Sequence, residues 1–156
     1  MNGMDKVDAY ILKTLQDNAR TPNSDIAKTL KMAPSAILER IRRLESKGII
    51  KGYKAVINPK AIDLDLLAYI TISLNVPNWS EKYNKAILAI PNVEEAHEIL
   101  GADSYFVKLR VKDMDELSDL LTNQIGSLPS VANTKTVMVI KSLRDNGNYP
   151  IKVPKK

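Results

Sequence analysis

Residues 35 to 46 carry the side chains best suited to chemistry, because basic and small polar residues recur there at helical spacing. At about 100° per residue they share one side of a predicted helix, while branched aliphatic residues share the other. Arginines beside short side chains suit the DNA major groove, where a guanidinium reaches guanine edges and phosphates. The outward set is Ser35, Glu39, Arg42, Arg43 and Ser46, and the buried stripe is Ile37, Ile41 and Leu44.

The same face also has an ordinary interpretation. Any exposed helix carries charged residues, and Glu39 with Arg43 is an i,i+4 ion pair of the favourable order. This helix alone does not decide between a solvated face and a DNA-binding face. The elements before it favour the second interpretation.

Two helix starts are marked by proline, at Thr21-Pro22 and at Ala33-Pro34. We expect threonine as the cap and proline as the first helical residue of the earlier helix. The spacing leaves room for only about two turns before the next helix, which predicts a helix-turn-helix over 22–30 and 34–46, covered by a first helix over 4–18. The predicted DNA-binding residues are Thr21, Asn23, Ser35, Ala36, Glu39, Arg40, Arg42, Arg43 and Lys47.

Within that set the arginines receive different roles. We expect Arg43 to read bases, because it lies on the outward face and supports no core contact. Arg42 and Lys47 are expected to meet phosphates.

Positive charge is concentrated in the first part of the chain. Residues 1–60 hold 12 Lys+Arg and 6 Asp+Glu, a net charge of +6, whereas residues 61–156 hold 11 and 12, a net charge of −1. A local cationic module of this kind indicates contact with a polyanion, most commonly nucleic acid. The sequence shows no long basic amphipathic helix, signal pattern or spanning apolar run, so we expect a soluble cytoplasmic protein that does not bind membranes.

The remainder predicts the element order strand, helix, strand, strand, helix, strand. The predicted strands cover 67–76, 93–100, 105–111 and 131–142, and the helices cover 79–90, capped by Ser80, and 113–126. This order is that of the ferredoxin-like βαββαβ domain. The predicted fold class is therefore α+β, a three-helix helix-turn-helix domain followed by a ferredoxin-like domain.

The predicted domain bounds follow from these elements. The helix-turn-helix domain covers residues 1–52, a linker strand covers 53–64, the ferredoxin-like domain covers 65–143 and a tail covers 144–156. Residues 49–57 are β-branched and aromatic, which favours a short hairpin or an extended strand. The sheet has one face without helices, where apolar side chains from the four strands are expected to form a dimer interface.

The stretch from Ala33 to Ile50, followed by Lys51-Gly-Tyr and later by Asn58-Pro59, resembles the leucine-responsive regulator and asparagine-regulator (Lrp/AsnC) family. The likeness continues through the turn at Gly101 and covers nearly the whole chain. It implies a bacterial or archaeal transcription factor that binds DNA as a dimer, assembles further into tetramers, octamers or larger discs, and responds to amino acids bound between dimers. It implies an effector site at Gly101, Ala102, Asp103, Ser104, Tyr105, Thr134 and Thr136.

The chain departs from that family pattern at three positions. Ala33 stands where a serine usually caps the recognition helix, although Ser35 is close enough to substitute, and Lys31 stands where the turn usually has glycine. Ser104 takes the place of the usual aspartate, and Asp103 carries the acid one residue early. If that aspartate orients an amino-acid ammonium, effector recognition is altered or absent here.

Several of these residues have simpler structural interpretations. Asp103 is an ordinary turn former, Thr134 and Thr136 fit plain strand positions, and His97 fits a partly buried structural histidine. Trp79 and Tyr83 are expected in a core or an interface.

The functional hypotheses come from three classes. The first is a sequence-specific regulator that binds palindromic DNA as a dimer or higher oligomer, modulated by a small effector. The second is a metabolic enzyme, which the sequence disfavours because it has no cysteine, one histidine and no paired carboxylates beyond solvated ones such as Glu94 and Glu98. The third is a weakly specific architectural protein that packs DNA. We expect no catalytic residue, metal or cofactor.

Overall fold

The computed structural model describes residues 4–75, 81–145 and 151. These residues divide into two compact units. The first contains the residues up to Val56 together with Asp145 and Ile151, and the second runs from Ile57 to Arg144. Of the tail expected over 144–156, only 144, 145 and 151 lie within the described residues.

The first unit is a bundle of three helices, α1 (Lys6–Asp17), α2 (Asn23–Leu30) and α3 (Pro34–Ser46). The three predicted helices are confirmed, with ends that differ by one or two residues. Each helix contributes an apolar stripe because its aliphatic residues recur every three or four positions. The buried side chains of this core are Ile11, Ile26, Ala27, Ile37, Ile41 and Leu44.

The starts of these helices differ in how their free N–H groups are satisfied. Asp5 caps α1 through a capping box, in which its carboxylate accepts from the Asp8 N–H and the Asp8 carboxylate accepts from the Asp5 N–H. Neither Pro22 before α2 nor Ala33 before α3 gives a side-chain cap. The expectation that Ser35 could replace the cap missing at Ala33 is therefore wrong.

The turn between α2 and α3 is closed by a residue in the left-handed conformation. Lys31 has φ 54° and ψ 45°, and its N–H donates to the carbonyl oxygens of Ala27 and Lys28. A side chain costs about 1 kcal/mol in this conformation, which is why such turns favour glycine.

The hairpin or strand predicted over 49–57, and the linker strand predicted over 53–64, are wrong. Residues 51–58 form no strand pairing, and a 3-10 helix follows at Pro59–Ile62. The β-branched composition favours an extended strand, but a strand also needs a neighbouring strand to accept its backbone hydrogen bonds. At Asn58 the side chain accepts from the Lys60 N–H and starts the 3-10 helix.

The second unit has β1 (Leu66–Leu74), α4 (Glu81–Leu88), β2 (Val93–Glu98), β3 (Tyr105–Val111), α5 (Met114–Asp119) and β4 (Val131–Met138). A π-helical segment, Leu120–Ile125, continues α5 to the predicted end near Gly126. The strands form one antiparallel sheet in the order β2-β3-β1-β4. The predicted ferredoxin-like fold is confirmed.

Strand ends are the least accurate part of the prediction. β2 ends at Glu98 and β4 at Met138, short of the predicted 100 and 142. Val76, Trp79 and Ser80, where we predicted the end of one strand and the capped start of a helix, lie outside the described residues.

Helices α4 and α5 cover one face of the sheet. Because directly paired residues of neighbouring strands point to the same face, the pair Ile70 and Val107 places alternate residues of β1 and β3 toward the helices. Ile87 of α4 and Leu117 of α5 are buried against them. This apolar core lies entirely within the second unit.

The open face of the sheet is only partly apolar, so our prediction for it needs correction. Tyr69 and Phe106 stack there with ring centroids 5.4 Å apart and an interplanar angle of 17°. Beside them Lys108 and Arg110 pair with Glu94, at Nζ–Oε2 3.1 Å and Nε–Oε1 2.6 Å. Phe106, Lys108 and Arg110 are alternate residues of β3, so their side chains lie on the same face of the sheet.

The geometry of Lys31 gives a testable expectation. Lys31→Gly should raise the free energy of unfolding by up to about 1 kcal/mol, because glycine adopts positive φ without a Cβ clash. The measurement is equilibrium urea unfolding followed by circular dichroism. Lys28→Gly is the matched control, since Lys28 lies inside α2 and glycine there should cost about 1 kcal/mol. A loss of stability in both variants would contradict this account of the turn.

Candidate nucleic-acid interface and effector loop

The outward side of α3 is polar and exposed. Ser35, Glu39, Arg42 and Lys47 are all exposed, and Ala36 is half-buried beside them. Arg42 makes no ion pair with any residue that the structure describes, so its guanidinium is available to an anion.

Leu38 is a member of this surface that the sequence analysis missed. Its side chain is 37% exposed although it is a leucine in a short helical bundle. The signal lay in the helical angle, since Leu38 follows Ile37 by 100° and falls at the edge of the buried stripe. An exposed leucine on such a surface can contact a thymine methyl group.

Arg40 and Arg43 face α1, which corrects the expectation that Arg43 supports no internal contact. Arg40 Nη1 lies 2.6 Å from Asp5 Oδ2 and 2.8 Å from Asp8 Oδ1. Arg43 Nη2 lies 3.2 Å from each oxygen of the Asp8 carboxylate. The outward angle of Arg43 was read correctly, but a long side chain can fold back onto a neighbouring helix. The two arginines therefore hold α3 against α1.

These contacts also affect the ionisation of Asp5. The pKa of its carboxyl is lowered, first because the Asp8 backbone N–H donates to it and then because the Arg40 guanidinium does. Both donors stabilise the carboxylate over the acid. The Asp5 carboxyl therefore remains ionised to lower pH than an ordinary aspartate, and its negative charge balances the positive charge of Arg40.

Thr21 and Asn23 occupy positions shifted by one from those predicted. Pro22 is the N-cap of α2 and Asn23 is its first residue. The Thr21 hydroxyl donates to the Asn18 carbonyl oxygen at 2.8 Å and so closes the turn after α1 instead of capping α2. Both residues are half-buried.

The segment after α3 is tied to it by Tyr53, which the sequence analysis did not single out. The Tyr53 hydroxyl donates to Glu45 Oε1 at 2.9 Å. Burial raises the pKa of Tyr53 to about 12, and the Glu45 carboxylate adds to the effect. The Lys-Gly-Tyr sequence at 51–53 was the available signal.

The loop 101–105, where we expect the effector site, is held by hydrogen bonds to β1. Gly101 has φ 151°, a conformation that favours glycine, and it opens the turn between β2 and β3. Ser73 Oγ donates to Asp103 Oδ1 at 2.5 Å, and Ser104 Oγ accepts from the Leu74 N–H at 3.3 Å. The loop thus has a fixed shape, with Ala102 exposed at its tip.

Asp103 has the electrostatic environment of a stable carboxylate. The hydrogen bond from Ser73 lowers its pKa, and the Lys135 ammonium, with Nζ 3.7 Å from Oδ2, adds to this effect. Tyr105 is buried, and its hydroxyl donates to Asn84 Oδ1 at 2.8 Å. The hydroxyl therefore points toward α4 and away from Asp103.

Thr134 and Thr136 lie on the opposite face of the sheet from Asp103. They pair with Ile72 and Ile70, whose side chains face the helices, whereas Lys135 pairs with Thr71 on the open face. The structure therefore brings together Asp103, Ser73 and Lys135, and separates them from both threonines by the thickness of the sheet.

His97 is exposed, so the expectation of a partly buried histidine is wrong. Its side chain is 60% exposed and its Nε2 lies 3.8 Å from Glu95 Oε2. It pairs with Phe106 across the edge of the open face, where no further strand covers it. A cleft of about 170 Å³ lies between α4 and β2, with His97 and Tyr105 in its wall.

Comparison with known proteins decides the family. Residues 67–149 match the profile of the Lrp/AsnC ligand binding domain, and residues 4–45 match that of the AsnC-type helix-turn-helix domain. The chain belongs to the Lrp/AsnC family. It is accordingly a helix-turn-helix transcriptional regulator with an effector-binding domain.

Relatives within the Lrp/AsnC family match over nearly the whole length. The leucine-responsive regulatory proteins of Klebsiella pneumoniae and Escherichia coli strain K12 are each 35% identical over 151 residues, which are 96% of this chain and 92% of those proteins. Both relatives are regulatory proteins by name.

Solved structures are similar in fold. A transcriptional regulator from Neisseria meningitidis, solved as a complex with L-Met, gives a TM-score of 0.89 at 26% identity and covers 94% of this chain and 96% of that one. Escherichia coli AsnC gives a TM-score of 0.81 at 28% identity, covering 91% and 95%.

The described residues contain neither a candidate metal site nor a membrane-spanning helix. Within residues 4–75, 81–145 and 151, no group of three His, Cys, Asp or Glu side chains is placed to hold a metal ion. No helix in the described part of the chain is long and apolar enough to cross a membrane.

The hydrogen bond from Ser73 to Asp103 gives a testable expectation for the pKa of the Asp103 carboxyl. In the intact protein the Asp103 carboxyl should titrate below its usual range, and Ser73→Ala should raise its pKa toward about 3.9, because a donor to the carboxylate is lost. Because the folded pKa is lowered, the stability this contact gives is present above the unfolded pKa and is lost as pH falls through the folded one. Carbon-detected NMR of labelled aspartate measures the change.

The control for that titration is Ser118→Ala, since Ser118 is an exposed residue of α5 away from the loop. It should leave the Asp103 titration where it was. An unchanged Asp103 pKa in Ser73→Ala would show that the hydrogen bond does not set it.

Proposed function

We propose that the protein is a sequence-specific regulator that binds palindromic DNA sites as a dimer or higher oligomer in the cytoplasm. The observation that carries the proposal is the exposed basic side of α3 within a family-matched helix-turn-helix. A helix with a buried aliphatic stripe and an exposed polar side can enter the major groove without losing its packing.

The proposed contacts divide by chemistry. Ser35, Ala36 and Glu39 lie at the start and middle of α3, where short side chains let the helix approach base edges. Arg42 and Lys47 lie toward its end and suit phosphates, while Thr21 and Asn23 at the start of α2 suit the backbone of the neighbouring strand. Arg40 and Arg43 remain part of the proposed DNA-binding surface, with their charges shared with α1.

A two-fold dimer through the open face of the sheet would provide the two half-site contacts. The support is the apolar part of that face: the stacked Tyr69 and Phe106, the neighbouring Leu67 and the exposed Val137. The ion pairs of Lys108 and Arg110 with Glu94 would lie inside or beside the interface and would fix its register.

We propose further that a small effector, such as an amino acid, acts at the loop 101–105. Tyr105 is the one residue of this loop in the wall of the cleft between α4 and β2, and that cleft, at about 170 Å³, is smaller than the 300 Å³ or more that usually encloses a ligand. A site completed by a second copy of the chain would supply the missing walls. Asp103 and Lys135 provide opposite charges for the two ionic groups of an amino acid.

The alternative is an architectural protein that packs DNA with weak specificity. The net positive charge of the first unit favours it, because phosphate contacts alone give sequence-independent binding. The two functions differ in the ratio of specific to non-specific affinity.

The deciding experiment is selection of bound fragments from the source genome, followed by footprinting. A regulator should prefer one recovered site over random duplex by about 10³ or more at fixed salt, and an architectural protein should not. Arg42→Gln should flatten the plot of log affinity against log salt by about one unit without changing the preferred site, because it removes one phosphate contact. A changed preference in Arg42→Gln would place that residue on bases.

Effector recognition has its own test. With serine at position 104, we expect leucine and other common amino acids to bind weakly or not at all, and Ser104→Asp to gain affinity. Calorimetry across the amino acids on both proteins decides this, and methionine belongs in the panel because a similar regulator was solved with L-Met. Tight leucine binding by the unsubstituted protein would contradict our interpretation of Ser104.

A further inference from the structure

Asp8 is a charged residue inside the helical core of the first unit. It is 2% exposed, and it lies on α1 opposite two arginines of α3. Its Oδ1 accepts from Arg40 at 2.8 Å, and both of its oxygens accept from Arg43 at 3.2 Å. A buried carboxylate keeps such partners, because separation would leave a charge without compensation in a poorly solvated place.

The charges of this cluster cancel. Asp5 and Asp8 bring two negative charges to the two positive charges of Arg40 and Arg43. The next arginine on the same helix, Arg42, has no ion pair with the described residues and is exposed. Two chemically identical neighbours, Arg42 and Arg43, thus differ in whether a carboxylate already holds them.

We propose that Asp8 is a positioning residue that holds Arg40 and Arg43 on α1 and thereby limits non-specific attraction of α3 to DNA phosphates. This inference rests on the proposed DNA-binding function. Non-specific affinity comes from phosphates neutralised by cations, so each arginine held by Asp8 contributes less to it. The base-reading side of α3 is unaffected, and the ratio of specific to non-specific affinity rises.

The geometry allows the arginines to reach DNA when Asp8 no longer holds them. The Arg43 side chain is 48% exposed even while paired, so its guanidinium is at the surface of the helix. Asparagine at position 8 would keep the size and the cap of α1 but remove the charge that attracts both arginines.

The test is fluorescence anisotropy of the full-length protein on a random duplex over a series of salt concentrations. Asp8→Asn should bind the random duplex several-fold more tightly at low salt, with a salt dependence steeper by one to two units. Asp17→Asn is the matched control, since Asp17 is an exposed aspartate of the same helix that forms no ion pair with the described residues, and its substitution changes net charge equally. Equal slopes in the two variants would overturn the proposal.

A second comparison starts with Asp8 intact, so its first part does not depend on the folding of Asp8→Asn. With Asp8 intact, Arg43→Gln should flatten the salt dependence by less than Arg42→Gln does, because Asp8 already neutralises Arg43. In the Asp8→Asn background the two arginine variants should flatten it equally. Equal losses with Asp8 intact would overturn the proposal. Absence of any salt-dependent DNA binding by the unsubstituted protein would instead refute the proposed function.

Discussion

The buried carboxylate of Asp8 constrains how α3 packs against α1 in the first unit. Because Asp8 is buried on α1, its charge requires cationic partners. These are arginines of α3, more than thirty residues later in the chain. The ion pairs therefore set the packing of α3 against α1 together with the aliphatic stripe of Ile11, Ile37 and Leu44. The stripe provides the larger free energy through apolar burial, but only the directional ion pairs fix which arginines turn inward.

The second unit also has charges that are largely buried and paired, here on the sheet face without helices. Lys108 and Arg110 lie on the face without helices, and Glu94 accepts from both. A bulge in the pairing of β2 with β3, between Val93 and Glu95, brings Glu94 to that face beside Glu95. A face with stacked aromatics at one place and paired charges at another would favour a single register in the dimer that we propose.

The parts of the fold that local rules determine could be predicted from the sequence. The stripe of Ile37, Ile41 and Leu44, the alternation along β3 and the left-handed Lys31 each depend on residues within a few positions. The errors arose where a residue depends on a distant partner. Arg43 folds back because Asp8 is buried, the segment 51–58 forms no strand because no neighbouring strand pairs with it, and His97 is exposed because β2 is at the sheet edge.

If an effector binds at the loop 101–105, as we propose, it would compete for Asp103. The carboxylate already accepts from Ser73 and lies 3.7 Å from the Lys135 ammonium, so an effector's ammonium group would have to displace that lysine. Lys135 is on β4 and Ser73 is on β1, so the displacement would change the contact between two strands at the edge of the open face. A ligand alters DNA affinity only if it binds two assembly states unequally. In the dimer that we propose, a second copy on this face would lie beside a loop whose acid contacts two strands, and the ligand would then bind the two assembly states unequally.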